Sequence, residues 1–322
     1  MENIEIYNSN CITQNELEDN SIDLFICDPP FGIGEKDFDK HYKRSKKTVT
    51  KSYEEAPDNY GKWTYEWLSI AKQKMKANAT LYFISGWTNL GEVLNAIHKC
   101  DLHVKNHLIW KFNFGVYTKS KFVSSHYHIL MVTKSDKSNI TFNQYCRFGP
   151  QEKVKEGGSA AYRDMEDVFI INKDMKQAKE GEVKNNNKLP DELIDKLIQY
   201  SSNEGDSICD FFMGNFTTAY SAIKLGRKIS GFELNKELYD YNMKKLSQLE
   251  FGHGLSGLKK ITIEKPKNQG KKITEEEKQN IYKDYQELLS QNKLKKDISK
   301  ILQDKYGRGH FSIKNILDNF KD

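Results

Sequence analysis

A short apolar run that stops at two prolines is the feature that most constrains this chain. Residues 21–27 (SIDLFIC) are mostly apolar, as in a buried strand, and are followed by Asp28, Pro29, Pro30 and Phe31. Neither proline can donate a hydrogen bond to a sheet ladder, so the strand ends there. The tetrapeptide is therefore predicted at the carboxyl edge of a strand, where open α/β sheets bind ligands.

Helical and strand patterns alternate along the rest of the chain. Apolar spacing predicts helices over 62–76, 89–99, 191–200 and 217–225, and strands over 80–85, 103–112, 126–133, 207–212 and 228–234. This alternation predicts an α/β class fold, Rossmann-like, with a mostly parallel sheet and helices on both faces. Residues 135–188 are polar and weakly periodic, and we interpret them as an insert with little core of its own.

Neither a membrane span nor a secretory leader is predicted. No apolar run approaches the ~20 residues that a membrane helix needs, and the first ten residues lack the basic start and apolar core of a signal peptide. A cytoplasmic protein with no membrane partner is therefore expected. The five cysteines form no CxxC pair, so we expect buried reduced thiols and predict no metal site.

Positive charge is concentrated in the last part of the chain. Residues 253–322 contain 16 Lys and Arg against 10 Asp and Glu, whereas the remainder contains 34 and 35. Residues 253–272 are predicted to be a basic linker, and 273–322 a small C-terminal helical region with helices over 275–291, 295–305 and 311–320. Thr274 and Glu277 have the spacing of a capping box. The region suits a helix-turn-helix-like module that binds phosphate, and equally a helical tail that stabilises the fold or an oligomer.

The tetrapeptide has the groups that chemistry on an exocyclic base amine requires. Such an amine is a poor nucleophile because its lone pair is delocalised into the ring. The Asp28 carboxylate and the Pro29 carbonyl can accept hydrogen bonds from its two N–H groups, and Pro30 stiffens the backbone that holds them. Phe31 offers a flat face on which an extruded base can stack. The alternative for Asp28 is a structural role before a proline turn.

A second candidate motif lies at residues 209–218 (CDFFMGNFTT), where a strand leads through a glycine turn into a helix. Such a turn brings backbone N–H groups and a helix N-terminus close to a small ligand. Glu233 ends the next predicted strand, where an acidic residue can accept hydrogen bonds from ribose hydroxyls. Either feature alone is also compatible with ordinary α/β turn chemistry.

Together the two motifs resemble the amino-methylating DNA methyltransferases, which carry a [D/N/S]PP[Y/F/W] catalytic motif and an FxGxG cofactor motif. The catalytic motif comes first here, which is the order of the β group of that family. The resemblance implies S-adenosyl-L-methionine as cofactor, double-stranded DNA as substrate and a methyltransferase domain over 1–252, with 135–188 as a target-recognition insert. Asp at position 28 favours N6 of adenine as the methylated atom.

The resemblance also implies roles for individual residues. The catalytic residues would be Asp28, Pro29, Pro30 and Phe31. The cofactor site would be lined by Asn10, Cys11, Asp28, Pro29, Asp210, Phe211, Phe212, Gly214, Thr217, Thr218, Glu233, Leu234 and Asn235. DNA contacts are predicted for Lys43, Arg44, Lys46 and Lys47, in a lysine-rich stretch that is either a surface loop or a lid, and for Tyr145, Arg147, Tyr162 and Arg163 in the insert.

Phe216 departs from the family pattern, because it replaces the second glycine of the cofactor motif. Phenylalanine removes the freedom to adopt positive φ and adds bulk where the ligand is expected to approach. This position therefore bears on cofactor affinity and pose.

Two other functions fit the same residues. One is N4-cytosine methylation by the same motif, and the other is a degenerate methyltransferase fold that only binds DNA. Cytosine ring-carbon methylation is disfavoured because no Pro-Cys dipeptide occurs. A homodimer and a cognate restriction endonuclease are the protein partners that the resemblance allows.

Overall fold

The computed structural model of the chain describes residues 3–13, 16–32, 56–113, 115, 117, 119–173, 188–261, 267–268 and 270–320. They form two compact units, Met1–Ile261 and Thr262–Asp322, which are described separately below. The boundary lies inside the predicted linker 253–272, and residues 253–261 belong to the first unit. Within the described ranges, no helix is both long enough and apolar enough to cross a membrane.

The described part of the first unit is built on an eight-stranded sheet. Its strands are β1 (Ile4–Tyr7), β2 (Ile22–Cys27), β3 (Met75–Ser85), β4 (His103–Lys111), β5 (His126–Thr133), β6 (Val168–Ile170), β7 (Ser207–Asp210) and β8 (Lys228–Phe232). They lie in the order β1-β8-β7-β2-β3-β5-β4-β6, and only β5 runs antiparallel to its neighbours. The predicted mostly parallel sheet is confirmed.

Helices cover both faces of this sheet, as predicted. The helices described in the first unit are α1 (Tyr60–Lys74), α2 (Leu90–Lys99), α3 (Ala160–Asp164), α4 (Asp191–Ser201), α5 (Thr217–Lys224) and α6 (Lys236–Leu246). Strand β2 is buried from both sides because its residues alternate between two cores. Leu24 packs in the core that also contains Leu193 of α4. Phe25 packs in the other core, together with Trp67 of α1. Burial of apolar surface on both faces thus fixes β2 at the centre of the sheet.

The predicted insert extends the sheet rather than forming a core of its own. Strand β6 pairs in parallel with β4, and the indole N–H of Trp110 in β4 donates to the carbonyl of Ile171 at 2.8 Å. Phe169 and Ile171 are buried in the core that α4 covers. Asp164 links this segment to α4, because its carboxylate accepts a hydrogen bond from Tyr200 at 2.7 Å.

The second unit consists, in its described part, of helices α7 (Glu275–Ser290), α8 (Lys295–Tyr306) and α9 (His310–Asp318). They pack around a separate small core whose buried members are Ile281, Ile298, Leu302, Ile313, Ile316 and Leu317. Thr274 caps α7, since its hydroxyl accepts from the Glu277 N–H at 3.1 Å. Glu277 also forms a bidentate ion pair with buried Arg308, at 2.9 and 2.7 Å. This pair fixes the turn between α8 and α9 against the start of α7.

Candidate active site

The tetrapeptide follows β2 directly, and contacts with β5 and with Asn89 fix its last residue, Phe31. The ring of Phe31 packs edge-on against Tyr127 of β5, with 5.0 Å between ring centroids and 75° between planes. The side-chain amide of Asn89 donates to the Phe31 carbonyl at 2.7 Å. Asp28 is half-buried and Pro29 is buried. The prolines limit the backbone and these contacts fix the ring, so the segment is preorganised.

Gly32 allows the chain to leave the tetrapeptide. Its φ is +65°, and a Cβ at this position would lie 2.5 Å from the Tyr60 ring. A side chain here would be strained and would also collide with the first residue of α1. Neither feature is visible in the sequence, because Tyr60 is 28 residues away in the chain.

The second motif closes into a loop through two carboxylates. Asp210, at the end of β7, accepts hydrogen bonds from the Phe212 N–H at 2.9 Å and the Thr218 hydroxyl at 2.7 Å. Glu233, just after β8, accepts from the N–H groups of Gly214 and Asn235, both at 2.7 Å. Each carboxylate retains lone pairs for a further donor, since an ionised carboxylate offers about four acceptor sites.

One cavity brings the two motifs together with the loop after β1. Every residue predicted for catalysis or cofactor binding lies on its wall: Asn10, Cys11, Asp28, Pro29, Pro30, Phe31, Asp210, Phe211, Phe212, Gly214, Thr217, Thr218, Glu233, Leu234 and Asn235. The cavity opens at the carboxyl edge of β2, β7 and β8, because these parallel strands end side by side. The individual roles of these residues stay predictions.

The electrostatics of the cavity are set by carboxylates that lie close together. Burial raises the pKa of Asp28 to about 7, and the charge of Asp210 adds to the rise while Lys173 opposes it. Burial also raises the pKa of Asp210 to about 7, against the hydrogen bonds from Thr218 and Phe212, and Glu233 adds to the rise. Desolvation and mutual repulsion both disfavour the ionised forms. A cationic ligand in this cavity would relieve the repulsion.

The family model for DNA methylases of the N6/N4 type matches residues 22–245, about two thirds of the chain. The chain belongs to this DNA methylase family. The match includes both motifs and the whole segment between them.

Curated relatives of this methylase include methyltransferases from several bacteria. The type II methyltransferase M.BamHI of Bacillus amyloliquefaciens is 30% identical over 244 residues, which cover 71% of this chain but only 54% of the relative. M.HpaI of Haemophilus parainfluenzae is 26% identical over 71% of this chain and 69% of the relative. The DNA adenine methyltransferase YhdJ of Escherichia coli (strain K12) is 26% identical over 70% of this chain and 76% of the relative.

Solved structures share the fold of this methylase. The M1.HpyAVI–SAM complex superposes with a TM-score of 0.51 at 20% identity, covering 76% of this chain and 100% of that chain. The cytosine-N4-specific PvuII DNA methyltransferase superposes with a TM-score of 0.55 at 12% identity, covering 78% and 95%. At these identities the likeness establishes the fold alone.

The sequence did not indicate an aromatic cluster that also lines the methylase cavity. Trp110 of β4 and Tyr127 of β5 line the wall together with Lys173. The Lys173 ammonium lies 4.5 Å from the Phe112 ring centroid, 4.6 Å from Tyr127 and 5.5 Å from Trp110. These residues come from three distant segments, so no local pattern could have identified them. The cluster places a fixed positive charge near the tetrapeptide.

Phe216 does not add bulk to the cavity, contrary to the expectation from its place in the motif. Its backbone is left-handed (φ 59°, ψ 24°), so it adopts the conformation that the family's glycine would allow. Its ring is fully buried in the core and packs against Tyr239 at 6.5 Å between centroids. The left-handed backbone costs about 1–2 kcal/mol, and burying the ring contributes about 1.5–3 kcal/mol in return.

The predicted DNA contacts that the structure describes, Tyr145, Arg147, Tyr162 and Arg163, do not line the cavity. Lys43, Arg44, Lys46 and Lys47 lie outside the described residues. Tyr162 is exposed, Arg163 pairs with Glu166 at 3.0 Å, and Tyr145 is half-buried. Arg147 donates to Asp164 and Gln199, both at 3.0 Å, so it holds the insert to α4. The DNA roles of these residues stay predictions, and that of Arg147 would compete with its internal contacts.

Phe216 yields a stability prediction that separates backbone strain from side-chain burial. We expect Phe216→Ala to lower the free energy of unfolding by about 3–5 kcal/mol through loss of the buried ring. Phe216→Gly should be no worse, since glycine accepts positive φ without cost. The control Ala222→Gly in α5 should lose about 1 kcal/mol. Denaturant titration followed by tryptophan fluorescence reports on the first unit, which contains all four tryptophans. If Phe216→Gly were about 1 kcal/mol less stable than Phe216→Ala, the backbone at position 216 would not be strained, and the prediction would be contradicted.

Asp28 yields a prediction on the pH dependence of stability. Its folded pKa of about 7 lies above the ordinary value of 3.8, so the fold favours the neutral form and loses stability as pH rises from about 4 to 7. The side chain of Asp28→Asn stays neutral at every pH. The Tm of this variant minus the Tm of the unchanged protein should therefore increase over that range by at least about 3 °C and then level off. Asp101→Asn, at a side chain that is 99% exposed, is the control for loss of one carboxylate. A Tm difference that does not change between pH 4 and 8 would contradict the assigned environment.

Proposed function

We propose that this methylase transfers the methyl group of S-adenosyl-L-methionine to N6 of adenine in specific sequences of double-stranded DNA. The observation that carries the proposal is the placement of Asp28 and Phe31 on the wall of one cavity with the carboxyl groups of Asp210 and Glu233. Family membership supports methylation of DNA, and the order of the two motifs along the chain supports assignment to the β group.

The residues around the cavity suit S-adenosyl-L-methionine, which is cationic at sulfur. Asp210 and Glu233 would hold its polar groups through their remaining lone pairs, and Asn10 and Cys11 would flank its adenine. The pKa of Asp210 is raised by burial first and by the charge of Glu233 to a smaller extent, and a bound cation would oppose both effects by favouring the ionised carboxylate. When bound, the cofactor supplies an electrophilic methyl group whose bond to sulfur breaks with the electron pair left on sulfur.

Asp28 and Pro29 would act on the amine of the target base. The Asp28 carboxylate and the Pro29 carbonyl accept its two N–H groups, which draws the lone pair out of conjugation and towards the methyl group. The nitrogen lone pair forms the new N–C bond, and the methylated nitrogen then loses one proton. An Asp28 carboxylate whose pKa is about 7 is a competent acceptor for that proton.

The aromatic rings beside Asp28 would hold a base that has left the duplex. Extrusion of a base costs a few kcal/mol, which stacking in the pocket must offset. Phe31 offers one flat face, and its contact with Tyr127 keeps that ring in place. A base on Phe31 would present its amine to the acceptors of the same tetrapeptide.

Adenine is favoured over cytosine by the aspartate at position 28, since N4-cytosine enzymes of this family usually carry serine there. The adenine specificity in the name of the Escherichia coli relative supports the same assignment. The cytosine-N4 specificity of the PvuII structural neighbour makes N4 of cytosine the competing target. The type II names of other relatives support a cognate restriction endonuclease as partner, and a homodimer stays a prediction.

The proposal predicts that Asp28→Asn abolishes transfer but keeps cofactor binding. The variant retains the size of the side chain and loses its charge, so the single-turnover rate with labelled cofactor should fall by at least about 100-fold. Equilibrium dialysis should still detect S-adenosyl-L-methionine, and the control Asp101→Asn should be fully active. Nucleoside mass spectrometry of the product should find N6-methyladenine. Finding only N4-methylcytosine would refute the adenine assignment, and no transfer by the unchanged protein would refute methylation altogether.

A further inference from the structure

The second unit has the connectivity of a helix-turn-helix. Helix α8 ends at Tyr306, and α9 begins at His310 after a three-residue turn. Gly307 closes α8 in the left-handed conformation, with φ of 59°. The buried Arg308 between the two glycines ties the turn to the segment before α7, because it also donates to the carbonyls of Asn268 and Lys271 at 2.7 and 2.6 Å. Two helices joined by a short glycine-containing turn are typical of DNA-binding modules.

The core of this unit determines which face of α9 points outward. Ile313, Ile316 and Leu317 are buried against the other two helices. Phe311, Lys314 and Asn315 are exposed, and Phe311 is 77% exposed at the start of the helix. A large aromatic side chain left in solvent at that position contributes nothing to the unit's own core. The first turns of the second helix are the part that reaches base edges in such modules.

Helices α8 and α9 carry exposed lysines that take part in no ion pair within the described residues. In the described part of the unit, the ion pairs engage Lys278 with Glu275, Lys305 with Asp284 and Arg308 with Glu277. The pairs within the described residues do not include the exposed lysines of α8 and α9, which are Lys295, Lys296, Lys300 and Lys314. Lys296 and Lys300 are four residues apart, so they lie on one side of α8, opposite the buried Ile298 and Leu302.

The start of α8 breaks an electrostatic rule that α7 obeys. Helix α7 has a side-chain cap and three glutamates in its first turn, which suit the positive end of a helix. Helix α8 has no side-chain cap, and Lys295 and Lys296 occupy its first turn beside Asp297. Two cations at that end are unfavourable until an anion is present to contact both the lysines and the backbone N–H groups. The chain therefore maintains at this place an arrangement that phosphate would stabilise.

We propose that α8 and α9 bind duplex DNA, with the lysines on phosphates and the outward face of α9 in the major groove. Asn315 offers an amide that can pair with adenine, and Phe311 offers an apolar contact for a thymine methyl group. The proposal rests on the proposed function only in taking DNA as the substrate. It adds a DNA-binding surface outside the cavity and outside the predicted target-recognition insert.

The test uses the full chain with four charges removed. Lys295, Lys296, Lys300 and Lys314 are each changed to Gln, and the Kd for a duplex is measured across 50–200 mM salt. Each lost phosphate contact should reduce the slope of log K against log salt by about 0.9, so a total drop of about 3.6 is expected for four lysines, with affinity at least about tenfold weaker. The matched control changes to Gln four exposed lysines of the first unit, which lie near the amino-terminal edge of its sheet: Lys99, Lys105, Lys228 and Lys244.

The proposal is overturned if the quadruple variant binds DNA with the same affinity and salt slope as the control. A change in sedimentation without a change in DNA binding would assign the surface to a protein partner and would also overturn it. The variant should retain its helical circular dichroism, because all four side chains are exposed. Binding is read without turnover, so a failure of methyl transfer is distinguishable from a failure of this proposal. Phe311→Ala with Asn315→Ala should reduce discrimination between DNA sequences and leave the salt slope unchanged.

Discussion

The parallel pairing of β2, β7 and β8 is the constraint on which the site depends. Cys27 ends β2, Asp210 ends β7 and Phe232 ends β8, and these strands run in one direction side by side. Their next residues must therefore emerge at one edge of the sheet. That places Asp28, Asp210 and Glu233 around a common cavity, although the first two are separated by 181 intervening residues of chain. The topology therefore gathers three carboxyl groups at one cavity, before any ligand is considered.

The cost of crowding carboxylates is reduced by bonds to the backbone. Asp210 and Glu233 each accept N–H groups from the loops that follow the strands, and these bonds shape the loops as well as the charges. Asp28 has weaker compensation, which comes from the Lys173 ammonium. The site thus combines two carboxylates that shape the loops with a third, Asp28, to which we assign the chemistry as a proposal. Phe216 belongs to the same architecture, since its buried ring holds a strained backbone in the turn before α5.

Local signals in the sequence identified the parts of the site that local chemistry fixes. The end of β2 followed from two prolines, and the turn between β7 and α5 followed from Asp210 and Gly214 between a predicted strand and a predicted helix. The eight-residue strand β5 was predicted with its observed bounds, because its apolar run is sharply delimited. The predicted strand over 228–234 ends two residues earlier, since Glu233 turns back to bind Gly214.

Contacts between distant segments could not be predicted in this way. Strand β6 is three residues long and exists because β4 offers it an edge. Tyr127 reaches the cavity from β5 and Lys173 from the segment that follows β6, and neither stands in a recognisable motif. The expectation that Phe216 adds bulk to the cavity was wrong for the same reason. The direction of its ring is set by the space available in the core beneath α5. The sequence alone shows which residue is present there and not which way it points.

Proton release on cofactor binding tests the account most directly. The chain would be titrated with S-adenosyl-L-methionine in a calorimeter at pH 7, in several buffers that differ in ionisation enthalpy. S-adenosylhomocysteine, whose sulfur is uncharged, would serve as the matched ligand. Binding of the cation should lower the pKa of Asp28 and Asp210 and so release on the order of one proton. Binding of S-adenosylhomocysteine should release a smaller number of protons. Equal proton release for the two ligands, or no binding of either, would contradict the claim that the carboxyl groups of this cavity bind a cation beside Asp28.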